Sequence, residues 1–229
     1  MAKKHIPKLK QEKEEKSRSR KKRGFYNRLA MGILVASLLV MVIYSIKSIK
    51  KVDLTQPGKH PFKGNPASKI IVSEFSDFQC PACRAAEPGL RQIMTDYPDK
   101  IRLVFYHYPL TANHPWAMLA AEAASCADLQ GKFWPYHDLL YDRQDIWVKD
   151  SAPDKIFRNY AVELGLETGQ FNSCLDQKKT KGTIGEDQVL GDGLAVNSTP
   201  TIYVNQTKVE GIRLPDIKQA IDAELALHP

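Results

Sequence analysis

Three hydrophobic patterns follow one another along the chain. Leu29 to Ile46, LAMGILVASLLVMVIYSI, runs 18 residues without a charge. That length lets a helix cross a bilayer, and the run is apolar on every face, unlike a surface helix. From Ile70 the β-formers Ile70, Ile71, Val72 and Phe75 predict a buried strand over 70–76. RAAEPGLRQIMTDY then predicts a helix ending near Tyr97-Pro98, with a kink at Pro88. IRLVFYHYP, from Ile101, predicts a second strand, in which His107 reads as a packed residue. From His114 to about 178 the apolar positions fall at helical spacing between Gly, Pro and Ser breaks. Three or four helices are expected there, as an insertion between the two halves of a sheet. Four glycines (Gly182, Gly185, Gly191, Gly193) weaken any helix over 180–195. Thr201–Val204 and Thr207–Val209 predict a hairpin, and Ile217, Ile221 and Leu225 mark a closing amphipathic helix.

Charge separates these regions. Residues 1–28 carry 12 Lys/Arg against 3 Asp/Glu, a net of +9; the remainder carries 21 against 23, a net of −2. The basic tail precedes the apolar run, and only Lys47, Lys50 and Lys51 follow it closely. The positive-inside rule therefore places the tail in the cytoplasm and the rest of the chain outside. A cleaved signal peptide is the competing reading. The long basic region and the absence of an A-x-A-like site favour a retained anchor. The expected organisation is a basic tail over 1–28, a transmembrane helix over 29–46, and a linker and lead-in segment over 47–69. An α/β domain then fills 70–229. Without a basic face, the domain is not expected to bind nucleic acid.

The candidate chemistry sits where the first strand meets the first helix. Cys80-Pro81-Ala82-Cys83 places two cysteines at a helix start. Unpaired N–H groups and the helix dipole stabilise negative charge there, and the thiolate is the reactive form of cysteine. Pro81 fits the first turn because its missing N–H is not needed. Thiol–disulfide exchange is the expectation, with Cys80 as the exposed nucleophile and Cys83 as the shielded partner. A zinc site would need a second ligand pair at similar spacing. Cys126 and Cys174 stand far apart, so no metal and no cofactor are expected. If Cys80 pairs with Cys83, the other two are left as a structural disulfide or as two free thiols. Glu74, six residues before Cys80, has two readings. It is either a buried acid exchanging a proton with Cys83 or a surface residue on an edge strand.

EFSDFQCPAC, the block holding CADLQGKFWPYHDLL and FNSCL, and the later STPTIYVN together resemble the DsbA-like thioredoxin-fold proteins. The likeness is nearest to their membrane-anchored, Gram-positive type and covers nearly all of residues 60–229. The resemblance implies a thioredoxin-like fold with a helical insertion, and dithiol–disulfide exchange with reduced protein substrates. By position it implies that Cys80 attacks, that Cys83 resolves and that Glu74 is the buried acid. Thr199 and Pro200 match a residue–cis-proline pair that holds substrate backbone beside Pro81 and Ala82. Cys126 and Cys174 match a second, non-catalytic pair. Ala82 departs from the histidine that the strongest oxidants of the family carry there, so a milder oxidant is also open.

The function expected is therefore an extracytoplasmic, monomeric thiol oxidase, re-oxidised by a quinone-linked membrane partner. The alternatives are a reductase or isomerase, and a non-catalytic partner- or metal-binding module.

Overall fold

The computed structural model describes residues 16, 18, 27, 28, 31–41, 53–56 and 58–227. The chain divides into two units, Met1–Lys51 and Val52–Pro229. In the first, residues 31–41 form a helix, α1, whose apolar side chains, such as Met31, Leu34 and Leu38, are exposed. Among the described residues no helix is long and apolar enough to cross a membrane. The remainder of the expected 29–46 span lies outside the described residues.

The second unit is built on a five-stranded sheet of order β1-β3-β2-β4-β5. The strands are β1 (Phe62–Gly64), β2 (Ile70–Ser76), β3 (Ile101–His107), β4 (Thr201–Val204) and β5 (Thr207–Lys208). β2 and β3 run parallel, joined by helix α2 (Pro81–Asp96); the other three pairings are antiparallel. Every residue of the central strand β2 is buried. Strand periodicity sends Ile70, Val72 and Glu74 to one face and Ile71, Ser73 and Phe75 to the other. The first face packs on α2 and on the closing helix α9 (Leu214–Leu227), through Leu90, Ile93, Ile217 and Ile221. The opposite face gathers Phe75, Tyr106, Tyr108 and Val196.

The helical insertion is larger than the sequence pattern indicates. Ala117–Asp128 (α3), Phe133–Asp142 (α4), the single turn Gln144–Trp147 (α5), Asp154–Glu163 (α6) and Thr168–Asp176 (α7) are followed by α8 (Lys181–Gly193). α8 corrects the expectation of a weak helix over 180–195. Its glycines cost propensity, but tertiary contacts outweigh that term. Ile184 and Asp187 are buried, and Asp187 Oδ2 accepts the backbone N–H of His107 at 2.8 Å. At Gly191 an added Cβ would lie 2.7 Å from the Tyr108 ring, so the close approach of α8 to the sheet requires glycine there. The lead-in near Pro61 forms edge strand β1. Gly64, at φ +91°, lets it pass β3 where a Cβ would fall 2.4 Å from the Ile101 carbonyl oxygen.

Cys126 of α3 and Cys174 of α7 are bonded to each other, 48 residues apart, and both are buried. The bond staples the first helix of the insertion to its fifth. Replacing both by Ala should lower unfolding free energy by about 4 kcal/mol, the chain-entropy value for a loop of this length. Urea denaturation of the variant measures it; a loss below about 1 kcal/mol would mean that helix packing alone holds α3 to α7.

Candidate active site

Strand β2 ends at Ser76, and residues 77–80 turn the chain into α2. Cys80 is the N-cap residue of α2, with extended dihedrals (φ −72°, ψ 123°) and Pro81 directly after it. Cys83, one turn further, faces inward and is fully buried; Cys80, expected to be exposed, is buried as well, with 7 % of its surface accessible, because the loop before β4 packs against it. Both thiols are free. Pro81 is exposed and Ala82 half-buried on the outer side of the same turn.

The two sulfurs differ sharply in acidity. The Cys80 thiol is lowered to about 5, mainly by a hydrogen bond from the Cys83 thiol, which outweighs the opposing effect of burial. The Thr199 side chain and the N–H groups of Cys83 and Ala82 add to the lowering. Burial pushes Cys83 well above the ordinary thiol range, and its interactions with Cys80 and the charge of Glu74 raise it further. Cys80 is therefore the thiolate and Cys83 the thiol, an asymmetry set by one turn of helix.

The loop carrying Cys80 is clamped. Asp77, buried, accepts the N–H of Gln79 at 2.7 Å on Oδ1. Its Oδ2 faces the N–H of Leu110 at 2.9 Å and His114 Nδ1 at 2.7 Å. The Asp77 N–H points at Cys83 Sγ, 3.5 Å away. Gln144 Nε2 of α5 donates to the carbonyls of Phe78 and Cys80, at 2.7 and 3.0 Å. Facing Cys80 from the far side is the loop before β4, where Thr199-Pro200 is a cis peptide. When protonated, Cys80 Sγ donates to the Thr199 carbonyl oxygen at 3.3 Å.

Glu74 is buried in the central strand, so the surface edge-strand reading is removed. It faces α2; Ser76 Oγ, two residues on along β2, donates to its Oε1 at 2.6 Å, and Tyr141 OH lies 2.8 Å from Ser76 Oγ. Burial first, and then the negative charge of Glu87, raise the Glu74 carboxyl to about 8.

Cys80, Cys83, Glu74, Pro81, Ala82, Thr199 and Pro200 thus converge on one centre, while Cys126 and Cys174 belong to the insertion. Ser76, Tyr141, Asp77, His114, Gln144, Glu87 and His137 were not foreseen. Only Glu87 left a signal: it stands four residues after Cys83, on the same helix face. Glu87, His137 and Asp138 lie near enough to suggest a metal site. However, Asp138 Oδ1 lies 2.9 Å from His137 Nδ1 and Glu87 Oε1 lies 3.4 Å from Nε2, so each carboxylate already meets one ring nitrogen. Arg91 and Lys63 already counter the acids.

The shifted acidities have opposite linkage. Cys80 is depressed, so its stabilisation is present at high pH and lost as pH falls through about 5. Glu74 is raised, so its stabilisation is present at low pH and lost as pH rises through about 8. Between these values the two slopes oppose, each roughly 1.4 kcal/mol per pH unit. In the reduced protein, Glu74→Gln should unmask stability that rises with pH, and Cys80→Ala stability that falls. Denaturant titrations across that range test both signs. Thiolate absorbance should titrate near pH 5, and Cys83→Ala should move that midpoint upward.

The family model described as "Thioredoxin" matches residues 56–223. Among curated proteins, the chain is 38% identical over 155 residues to "Na(+)/H(+) antiporter NhaA 3" of Salinispora tropica, covering 68% of this chain and 23% of that protein. It is 29% identical over 196 residues to "Na(+)/H(+) antiporter NhaA 1" of Mycolicibacterium vanbaalenii, covering 79% and 31%. The chain thus spans only 23% to 31% of the length of these relatives. Among solved structures, oxidised BdbD from Bacillus subtilis aligns at TM-score 0.66 and 22% identity, over 73% of this chain and 93% of that one. A thioredoxin-like oxidoreductase from Silicibacter pomeroyi aligns at 0.63 and 27%, over 75% and 96%. Wolbachia pipientis alpha-DsbA1 aligns at 0.61 and 22%, over 72% and 90%. With the family matched over most of its length, and with the sheet, the helical insertion and the C-P-x-C helix start in place, the chain belongs to the thioredoxin family as a DsbA-like thioredoxin-fold protein.

Proposed function

We propose that this protein is an extracytoplasmic thiol:disulfide oxidoreductase that passes the Cys80–Cys83 disulfide to reduced protein substrates. The observation that carries this reading is the split acidity at one helix start, with Cys80 lowered to about 5 and Cys83 raised. A dithiol whose thiolate is stabilised favours the reduced state, and so its disulfide is a good oxidant.

In the cycle, a substrate thiolate attacks Cys80 Sγ. The Cys80–Cys83 bond breaks, its electron pair goes to Cys83, and Glu74 supplies the proton. A second substrate thiolate then attacks the substrate sulfur of the mixed disulfide, and Cys80 leaves as the stabilised thiolate. The substrate loses two electrons and the cysteine pair gains them. Thr199, Pro200, Pro81 and Ala82 border the reacting sulfur and would hold substrate backbone. An open groove of about 480 Å³, lined by Ala86, Pro88, Gly89, Ile212 and Leu214, runs from the same helix and offers an apolar bed for an extended segment. The 29–46 segment would tether the domain to the outer face of the membrane, where a quinone-linked partner re-oxidises it.

Cys80→Ser should abolish exchange with reduced protein substrates, and full residual activity would overturn the assignment. Equilibration with glutathione should place the pair well above thioredoxin, whose potential is about −270 mV. A value near thioredoxin's would reverse the direction of electron flow and make the protein a reductase.

A further inference from the structure

Resting on the exchange cycle just described, we propose that the proton traded between Cys83 and Glu74 enters and leaves the protein through Glu87, His137 and Asp138, on the side away from the substrate. The cycle requires such a route. Cys83 is fully buried, and during the mixed disulfide the substrate itself covers Cys80 and the cis-proline loop. A proton needed behind that seal must come from elsewhere.

From Glu87 outward the structure provides a file of groups. Glu74 faces α2, the helix that carries Glu87, and the negative charge of Glu87 raises the Glu74 carboxyl. Glu87 Oε1 lies 3.4 Å from His137 Nε2, and His137 Nδ1 lies 2.9 Å from Asp138 Oδ1. His137 is 1 % exposed, while the Asp138 side chain is 38 % exposed and meets solvent. One imidazole therefore bridges a buried carboxylate and a surface one, each on its own ring nitrogen. Imidazole can take a proton on one nitrogen and release it from the other, which suits it to relay. Among the described residues, Glu74 Oε2, Glu87 Oε1 and His137 Nε2 are buried without a hydrogen-bond partner. Unsatisfied buried polar atoms are costly and rare in a settled core. Glu87 Oε1 and His137 Nε2 face each other at 3.4 Å without closing a hydrogen bond, and Glu74 Oε2 has no hydrogen-bond partner, which fits groups that exchange a proton rather than hold one bond.

The surroundings keep the relay charged and in place. His137 lies against the rings of Trp134 (4.9 Å), Tyr141 (5.0 Å) and Phe105 (5.4 Å). Burial opposes its protonation, but Asp138, Glu87 and Glu74 together hold its pKa above the ordinary value. Lys63 of β1 and Arg91 of α2 each come within 3.7 Å of Asp138 Oδ1. From β3, His107 faces the same cluster, with its pKa lowered to about 4 mainly by burial, so it adds no charge near neutrality. A cavity of about 170 Å³ lined by Lys63, Glu87, Arg91 and Trp134 adjoins this exit.

The test uses the full chain, oxidised at Cys80–Cys83 and reduced by dithiothreitol in quenched flow across neutral pH. In this step Cys83 must gain a proton whichever way electrons flow in vivo. His137→Gln should slow reduction about tenfold or more, with a changed pH profile, because a positioned proton carrier is removed. Asp138→Asn should slow it in the same direction, and does not depend on the core variant folding. In His137→Gly, added imidazole should restore part of the rate. Alkylation of reduced Cys80 should keep the parent's pH midpoint in all three, a result that a merely distorted site would not give. Rates and pH profiles superimposable on the parent's in both His137→Gln and Asp138→Asn would overturn the relay alone. Slowing with a shifted Cys80 midpoint and no rescue by imidazole would also overturn it. A parent disulfide inert to dithiothreitol would overturn the exchange reading, and the relay with it.

Discussion

The structure depends on keeping a negative charge on one sulfur while denying it to another a single helical turn away. Cys80 manages this mainly through the hydrogen bond from the Cys83 thiol, and as the N-cap of α2 it also meets backbone N–H groups that have no partner inside the helix. Cys83 fails because it faces the core, where charge is poorly solvated. It then serves its neighbour by turning its own S–H toward the thiolate. Neither sulfur could be moved by one position without losing the contrast, since a shift of one residue turns a helical side chain by roughly 100°.

The helical insertion supplies the rigidity this contrast needs. A turn between strand and helix would ordinarily be mobile, and the N–H groups in it would aim loosely. Here Asp77 and Gln144 secure residues 77–80 from both sides. Phe78, Cys80 and Cys83 belong to the same buried cluster as Tyr136, Trp147, Phe157 and the bonded pair Cys126–Cys174. The insertion is therefore the back wall of the site as well as a separate layer of helices. Its internal disulfide fixes that wall at a distance from the chemistry.

A third element is the acid placed under the helix. Glu74 replaces what would otherwise be another aliphatic residue after Ile70 and Val72 on the inner face of β2. Its burial is unfavourable as a charged group, which is why the carboxyl stays protonated to about 8. That keeps its proton exchange in the range where thiols titrate. Ser76 of the same strand satisfies one of its oxygens and is itself paired with Tyr141 of α4, while the other oxygen is buried without a hydrogen-bond partner.

Much of this was legible along the chain. The β-formers from Ile70, the C-P-x-C at the following helix start, and the T-P before Thr201 are local patterns, and local sterics and hydrogen bonding decide them. The cysteines and their ranking followed from the helix terminus alone. Glu74 could not be resolved this way, because alternation gives the face of a strand but not whether that strand is central or at an edge. Strand order decided it, with β3 and β4 on either side of β2. The glycine-rich α8 was likewise decided by packing, since the close approach of Tyr108 makes glycine a requirement at Gly191 instead of a weakness. His137 and Asp77 carried no mark in the sequence: each depends on groups brought from tens of residues away, and only the tertiary structure sets which charges meet across such distances. The sequence by itself determined the nucleophile, its partner and the helix that activates it. The tertiary structure decided which buried acid, amide and imidazole surround them, because burial and long-range contact are properties of the folded chain.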